Sequence, residues 1–231
     1  MKVTDINTVD DIRSSLDDHH YIANRGLATS IYLSLKMEKP IFLEGEPGVG
    51  KTEVGKVLSQ ILHTDLIRLQ CYVGLDVHNA IYEWNYSRQI LQIRMMEAEG
   101  QKDKEKISNE IFGSEFLIKR PLYQAIDYDG DNPPVLLIDE LDRADEEFEA
   151  FLLEILSDFQ ISIPEIGTIK SEKPPVVVIT PNRTSEIHDA LKRRCLYHWI
   201  EYPSAEQEFE LVKRTIPEVH TVRGKQGGPS A

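Results

Sequence analysis

Three short runs of uninterrupted apolar residues punctuate the chain: Ile41-Phe42-Leu43, Val135-Leu136-Leu137-Ile138 and Val176-Val177-Val178-Ile179. Such runs predict strands buried on both faces of a parallel sheet, because a strand with one wet face alternates instead. Between them the period becomes helical. Val54, Val57, Leu58, Ile61 and Leu62 mark one amphipathic helix, and Phe148, Phe151, Leu152, Ile155, Leu156 and Phe159 mark another. The second has Asp145 placed as its cap and Glu146 and Glu147 where a helix start favours negative charge. Tyr21, Ala28, Ile31, Tyr32 and Leu35 form an earlier helical stripe that stops before Lys39-Pro40. Leu66 to Gln70 alternates as a strand, and Tyr197-His198-Trp199-Ile200 is a further strand after a short helix from His188 to Leu191. Strands alternating with helices predict an α/β fold of three layers, αβα, around a mainly parallel sheet.

The remaining pattern is less regular. Residues 4 to 20 carry Asp10, Asp11, Asp17, Asp18, His19 and His20 around sparse apolar positions, and read as an N-terminal arm over 1–20. Leu75 to Met96 is helical but interrupted, with Tyr82, Trp84 and Tyr86 crowded around Asn85. Residues 97–110 read as a solvated helix or loop, and Arg120-Pro121-Leu122 opens another helix, since proline is tolerated in the first helical turn. Gln160 to Ile169 alternates and holds Pro164 and Gly167, the pattern of an exposed hairpin. One more helix spans 206–216, which closes the main domain at 21–216. The tail 217–231, ending in Gly227-Gly228-Pro229-Ser230-Ala231, has too little apolar surface to fold.

Chemistry enters at the strand tips. Gly45-Glu46-Pro47-Gly48-Val49-Gly50-Lys51-Thr52, followed by Glu53, joins the first apolar strand to a helix as G-x-x-x-x-G-K-T. The glycines let backbone N–H groups curl round phosphate without Cβ obstruction, and the helix start adds partial positive charge. Lys51 reaches the β- and γ-phosphates in such a loop, and the Thr52 hydroxyl meets the Mg²⁺ that ATP brings. The second strand ends in Asp139-Glu140, facing the crevice where open α/β sheets bind ligands. Asp139 is the candidate to hold Mg²⁺ from behind its directly bound ligands, and Glu140 the candidate base for an attacking water. The third strand ends in Thr180-Pro181-Asn182, where Asn182 can hydrogen-bond both γ-phosphate and water.

Composition narrows the partners. With 26 Lys and Arg against 39 Asp and Glu the net charge is −13, which counts against a surface built to coat nucleic acid. Residues 139 to 160 alone hold nine acids and one arginine, so much of that acidity is local. Cys71 and Cys195 lie far apart with no C-x-x-C spacing, so neither a disulfide scaffold nor a zinc site is indicated. No signal peptide or membrane-length apolar run occurs, which gives a cytoplasmic expectation. The absence of an N-K-x-D motif argues against a GTPase.

A phosphate loop, Asp-Glu and then Asn at successive strand tips, followed by a short helix ending in arginines, resembles the AAA+ P-loop ATPases. Val135 to Gly167 is similar to the MoxR family, and Leu69 to Leu91 and Asp189 to Trp199 resemble its CoxD-type members. The resemblance implies an ATP-hydrolysing subunit of a hexameric homo-oligomer that remodels a metalloenzyme client, a molybdenum hydroxylase such as carbon monoxide dehydrogenase, beside a von Willebrand factor A domain partner. It also implies that Asn182 is sensor 1 and that Arg194, or its neighbour Arg193, is a finger reaching the next subunit's nucleotide. It places the helix-2 insert within 75–96 and the hairpin before sensor 1 at 160–170. Two departures stand out: Pro181 replaces an expected small residue, and the family's C-terminal helical lid is largely missing. The alternatives are a nucleotide-regulated binding subunit that hydrolyses little, and a nucleic-acid remodeller of the same superfamily.

Overall fold

The computed structural model describes residues 3–100, 103–182, 187–205 and Phe209. The expected helix over 206–216, Phe209 apart, and the tail 217–231 lie outside the described residues. In chain order the elements are α1 (Val9–Asp18), α2 (Arg25–Met37), β1 (Ile41–Gly45), α3 (Lys51–Leu62), β2 (Leu66–Gln70), α4 (Val77–Ile81), β3 (Tyr82–Trp84), α5 (Tyr86–Ala98), α6 (Lys104–Ile111), β4 (Leu117–Lys119), α7 (Pro121–Ile126), β5 (Val135–Asp139), α8 (Glu146–Asp158), β6 (Gln160–Ile163), β7 (Gly167–Lys170), β8 (Val176–Thr180), α9 (Asp189–Lys192) and β9 (Leu196–Ile200).

The five parallel strands lie in the order β2-β5-β8-β1-β9. Because successive side chains of a strand point to opposite faces, each strand feeds two cores. Ile41 and Leu43 of β1, Val135 and Leu137 of β5 and Val178 of β8 pack with α1, α2 and α3. Phe42, Leu136, Ile138, Val177 and Ile179 pack on the other side with α7, α8 and the segment 75–126. This double burial is why the strands read as continuous apolar runs, and it makes three layers, as expected.

Local chemistry fixes the helix starts. Thr8 and Asp11 form a capping box on α1, Asn24 accepts from Leu27 N at 2.7 Å on α2, and Asp145 accepts from Phe148 N at 2.9 Å on α8. The N-terminal segment is more deeply built in than its sparse apolar positions suggest. Ile6, Ile12 and Leu16 are fully buried against α2 and α3, and full burial stabilises by roughly 1.5–3 kcal/mol per side chain.

The interruption within 75–96 is a strand. β3 pairs antiparallel with β4, and the Trp84 ring meets Phe112 edge-on at 5.3 Å, while Tyr86 just beyond is exposed. The hairpin of β6 and β7 forms with Gln160 opposite Lys170. Among the described residues, no helix is long and apolar enough to cross a membrane, and both cysteines are free thiols.

Candidate nucleotide-binding site

Between β1 and α3 the chain turns through Gly48 and Gly50, whose φ values of 87° and 91° favour residues without a Cβ. At Gly45 the restriction is space, since an added Cβ would strike the carbonyl oxygen of Ile200 on β9. Gly50 is the N-cap of α3 and offers no capping side chain, so the first-turn N–H groups are available to an anion. Lys51 is 6% exposed, and its Nζ donates to Gly45 O at 2.7 Å and Glu46 O at 3.1 Å. Burial lowers its pKa against the opposing pull of Asp139, Asp142, Glu46 and Glu44. A buried amine held by its own loop, with several carboxylates within range, is placed to receive a polyphosphate.

Register then assembles the second part of the site. Gln70 pairs with Asp139, and Asp139 with Thr180, so the tips of β2, β5 and β8 end level. Strand parity puts these three side chains, with Arg68, on the face covered by α3. Asp139 is accordingly buried at 6% exposure, and its Oδ1 accepts from Thr180 Oγ1 at 2.5 Å and Thr52 Oγ1 at 3.4 Å. Arg68 Nη2 lies 2.5 Å from Oδ2. The Thr52 hydroxyl and the Asp139 carboxylate form the all-oxygen set that a hard divalent cation takes.

The next residues turn away from the strand. Glu140 has φ 54°, its N–H donates to Thr180 O at 2.8 Å, and its carboxylate pairs with Arg143 at 3.1 Å. Asp142 accepts the Asn182 N–H at 2.8 Å, which ties the loop after β8 to the turn after β5. The structure thus brings Lys51, Thr52, Asp139, Glu140 and Asn182 to one end of the sheet. Arg194 is directed elsewhere: its Nη1 donates to Leu153 O at 2.7 Å and Ser157 Oγ at 2.5 Å on α8. Arg193 is exposed beside it.

A cleft of about 400 Å³ adjoins the loop at Gly48, Val49, Gly50 and Glu53. Its other walls include Tyr21, Ile22, His198 and Tyr202, contributed by segments far apart in sequence. Half-buried Tyr21, its pKa raised mainly by desolvation, lies under Gly50, and a Cβ there would sit 3.7 Å from its ring. Burial also lowers the pKa of His198, whose buried Nε2 has no hydrogen-bond partner among the described residues. Sequence reasoning passed over these wall residues, and also Thr180 and Arg68. For the last two a signal existed in the strand-end position of Thr180 and the shared parity of Arg68 and Gln70; for the cleft none is local.

The AAA domain of the dynein-related subfamily matches residues 40–195. No curated protein matches the chain. Among solved structures, a putative ATPase from Cytophaga hutchinsonii is 18% identical at a TM-score of 0.58, covering 93% of this chain and 57% of that one. A mutant of RuvB from Thermotoga maritima is 16% identical at 0.49, covering 95% and 55%. The chain therefore spans 57% of the length of the Cytophaga protein, and at that identity the likeness concerns the fold. With the family match running from the residue before β1 to the residue after Arg194, this chain belongs to the AAA domain family, dynein-related subfamily, as a P-loop nucleotide-binding protein of the AAA+ type.

Proposed function

We propose that the chain is the catalytic module of a Mg²⁺-dependent ATPase acting in a ring of six copies in the cytoplasm. The observation that carries this is the gathering of Lys51, Thr52, Asp139, Glu140 and Asn182 at the carboxyl ends of β1, β5 and β8. In this reading the loop from Gly45 to Thr52, with Glu53, holds the nucleotide, and Lys51 neutralises the β- and γ-phosphates. Thr52 and Asp139 hold Mg²⁺, which supplies charge stabilisation at the phosphates when bound. Glu140 takes the proton of the attacking water, Asn182 orients water and γ-phosphate, and Arg194 acts on the neighbouring subunit's nucleotide. The purpose of hydrolysis is remodelling of a metalloenzyme client, a molybdenum hydroxylase, with a von Willebrand factor A domain protein. That part is supported by the sequence resemblance alone.

A second reading, a nucleotide-regulated binding subunit with little hydrolysis, is favoured by one observation: Glu140 is paired with Arg143 and Arg194 with α8. Phosphate release by wild type and Glu140→Gln separates the two. The ATPase reading expects ATP affinity retained within a few-fold and turnover reduced on the order of a hundredfold or more, because an amide cannot accept the proton. Equal, slow release by both proteins would favour the binding subunit, whereas equal, rapid release would transfer the base role, with Asp142 next in position. Co-purification with mass spectrometry tests the client, and absence of both a molybdenum hydroxylase and a von Willebrand factor A domain protein would contradict it.

A further inference from the structure

Asp139 is the carboxylate to which the site reading gives the metal, and a cation already stands on it. Arg68 Nη2 is 2.5 Å from Oδ2, on the side away from Thr52. The two partners differ sharply in freedom, because the Asp139 side chain is 9% exposed and the Arg68 side chain 52%. A buried carboxylate without a counter-charge is costly, and removing one member of such a pair leaves that cost uncompensated. Lys51 acts on Asp139 only at a distance, since its amine donates to the carbonyls of Gly45 and Glu46. Among the described residues, Arg143 is paired with Glu140.

Arg68 is also arranged to leave. It sits on β2, at one edge of the sheet, and shares a face with Gln70, whose Oε1 lies 2.5 Å from the same Nη2. The guanidinium therefore already holds a neutral acceptor beside the charged one, and keeps a hydrogen bond if it gives up Asp139. A divalent cation held by Thr52 and Asp139 would repel a guanidinium paired with the same carboxylate.

Resting on the reading of this site as one for Mg²⁺ and nucleotide, we infer that Arg68 is the resident counter-cation of Asp139, which Mg²⁺ displaces toward Gln70 when nucleotide loads. Arg68 is thus a positioning residue. It keeps the carboxylate paired and oriented toward Thr52 and Thr180 before loading, and sets the Mg²⁺ concentration at which loading occurs.

The test is binding of a fluorescent ATP analogue to the full chain, titrated with Mg²⁺, alongside thermal unfolding with and without Mg²⁺ and nucleotide. Arg68→Gln removes the competing charge, so half-saturating Mg²⁺ should fall on the order of tenfold. Its melting temperature should drop below that of wild type without Mg²⁺ and return close to it when Mg²⁺ and nucleotide saturate. Arg68→Lys keeps the charge and should stay near wild type. Gln70→Leu removes the alternative acceptor and should shift the Mg²⁺ requirement upward, a readout that stands even if Arg68→Gln folds poorly. A Mg²⁺ requirement unchanged or raised in Arg68→Gln, or unchanged in Gln70→Leu, overturns the inference while leaving the site reading intact, provided that Lys51→Ala still weakens analogue binding on the order of a hundredfold. Wild-type protein that binds no analogue would remove both.

Discussion

Glu149 of α8 is 2% exposed, and its Oε2 accepts the backbone N–H of His188 at 2.7 Å. Burial raises its pKa above the ordinary 4.5 by more than that hydrogen bond and the His188 ring lower it. The folded protein therefore holds this proton more tightly than the unfolded chain does. The contribution of Glu149 to stability falls as pH rises from about 4.5 through the raised value, with the loss complete above it. Glu149→Gln keeps an acceptor for His188 without the charge, so it should remove this pH dependence and match or exceed wild-type stability at neutral pH. Glu149→Ala leaves the N–H unpaired and should lose about 1–3 kcal/mol. Denaturant unfolding at pH 4.5 and pH 7 checks both, and a wild type that grows more stable relative to Glu149→Gln across that range would contradict the assignment. The same residue illustrates a limit of sequence. Lys51, Thr52 and Asp139 were legible because a phosphate loop and a strand end encode their own backbone. Glu149 merely looked like one more acid in a helical first turn, because its partner lies on a segment 39 residues later.

At the scale of elements, strands β1, β5 and β8 were legible because burial on both faces leaves continuous apolar runs. The amphipathic helix α1 and strand β3 were less so. Two or three apolar residues carry α1, and β3 exists only through pairing with β4, 33 residues on from Trp84 to Leu117. The strand-end position of Thr180 and the parity of Arg68 with Gln70 are visible within their segments, but their meeting at Asp139 follows from register between strands. Register also governs what α9 can do. Glu149 fastens its start to α8, and Arg194 fastens its end to Leu153 and Ser157, so three successive turns of one helix hold the other. For Arg194 to act on a neighbour's nucleotide it must leave those partners, which are exposed and cost little to give up. In assembled rings, Arg194→Ala should slow turnover on the order of 10³-fold. Mixing it with Lys51→Ala should restore part of the activity, because some interfaces then pair an intact loop with an intact arginine. Co-assembly without recovery would leave Arg194 as a strap between α8 and α9, and the same experiment with Arg193→Ala would then decide whether its exposed neighbour acts instead.

The whole molecule places its α1, α2 and α3 core on one face of the sheet and its α7 and α8 core on the other, with the nucleotide crevice where the strands end. The cleft beside the phosphate loop draws on the start of the domain, the loop itself and the end of β9, so its shape depends on the complete fold. The acidity of residues 139–160 also has a physical place there, since cations offset it locally: Arg68 on Asp139 and Arg143 on Glu140. The claim on which the rest depends is that this crevice takes Mg-ATP through Lys51. Lys51→Ala removes a buried charge whose partners are two carbonyls of its own loop, so the fold should persist: relief from desolvation offsets the lost hydrogen bonds. Calorimetric titration of Mg-ATP into wild type and Lys51→Ala, with circular dichroism on both, measures this directly. Wild type should show saturable one-site binding, and the variant a loss of affinity on the order of a hundredfold with unchanged secondary structure. Equal affinity in the two proteins, with both folded, would contradict it.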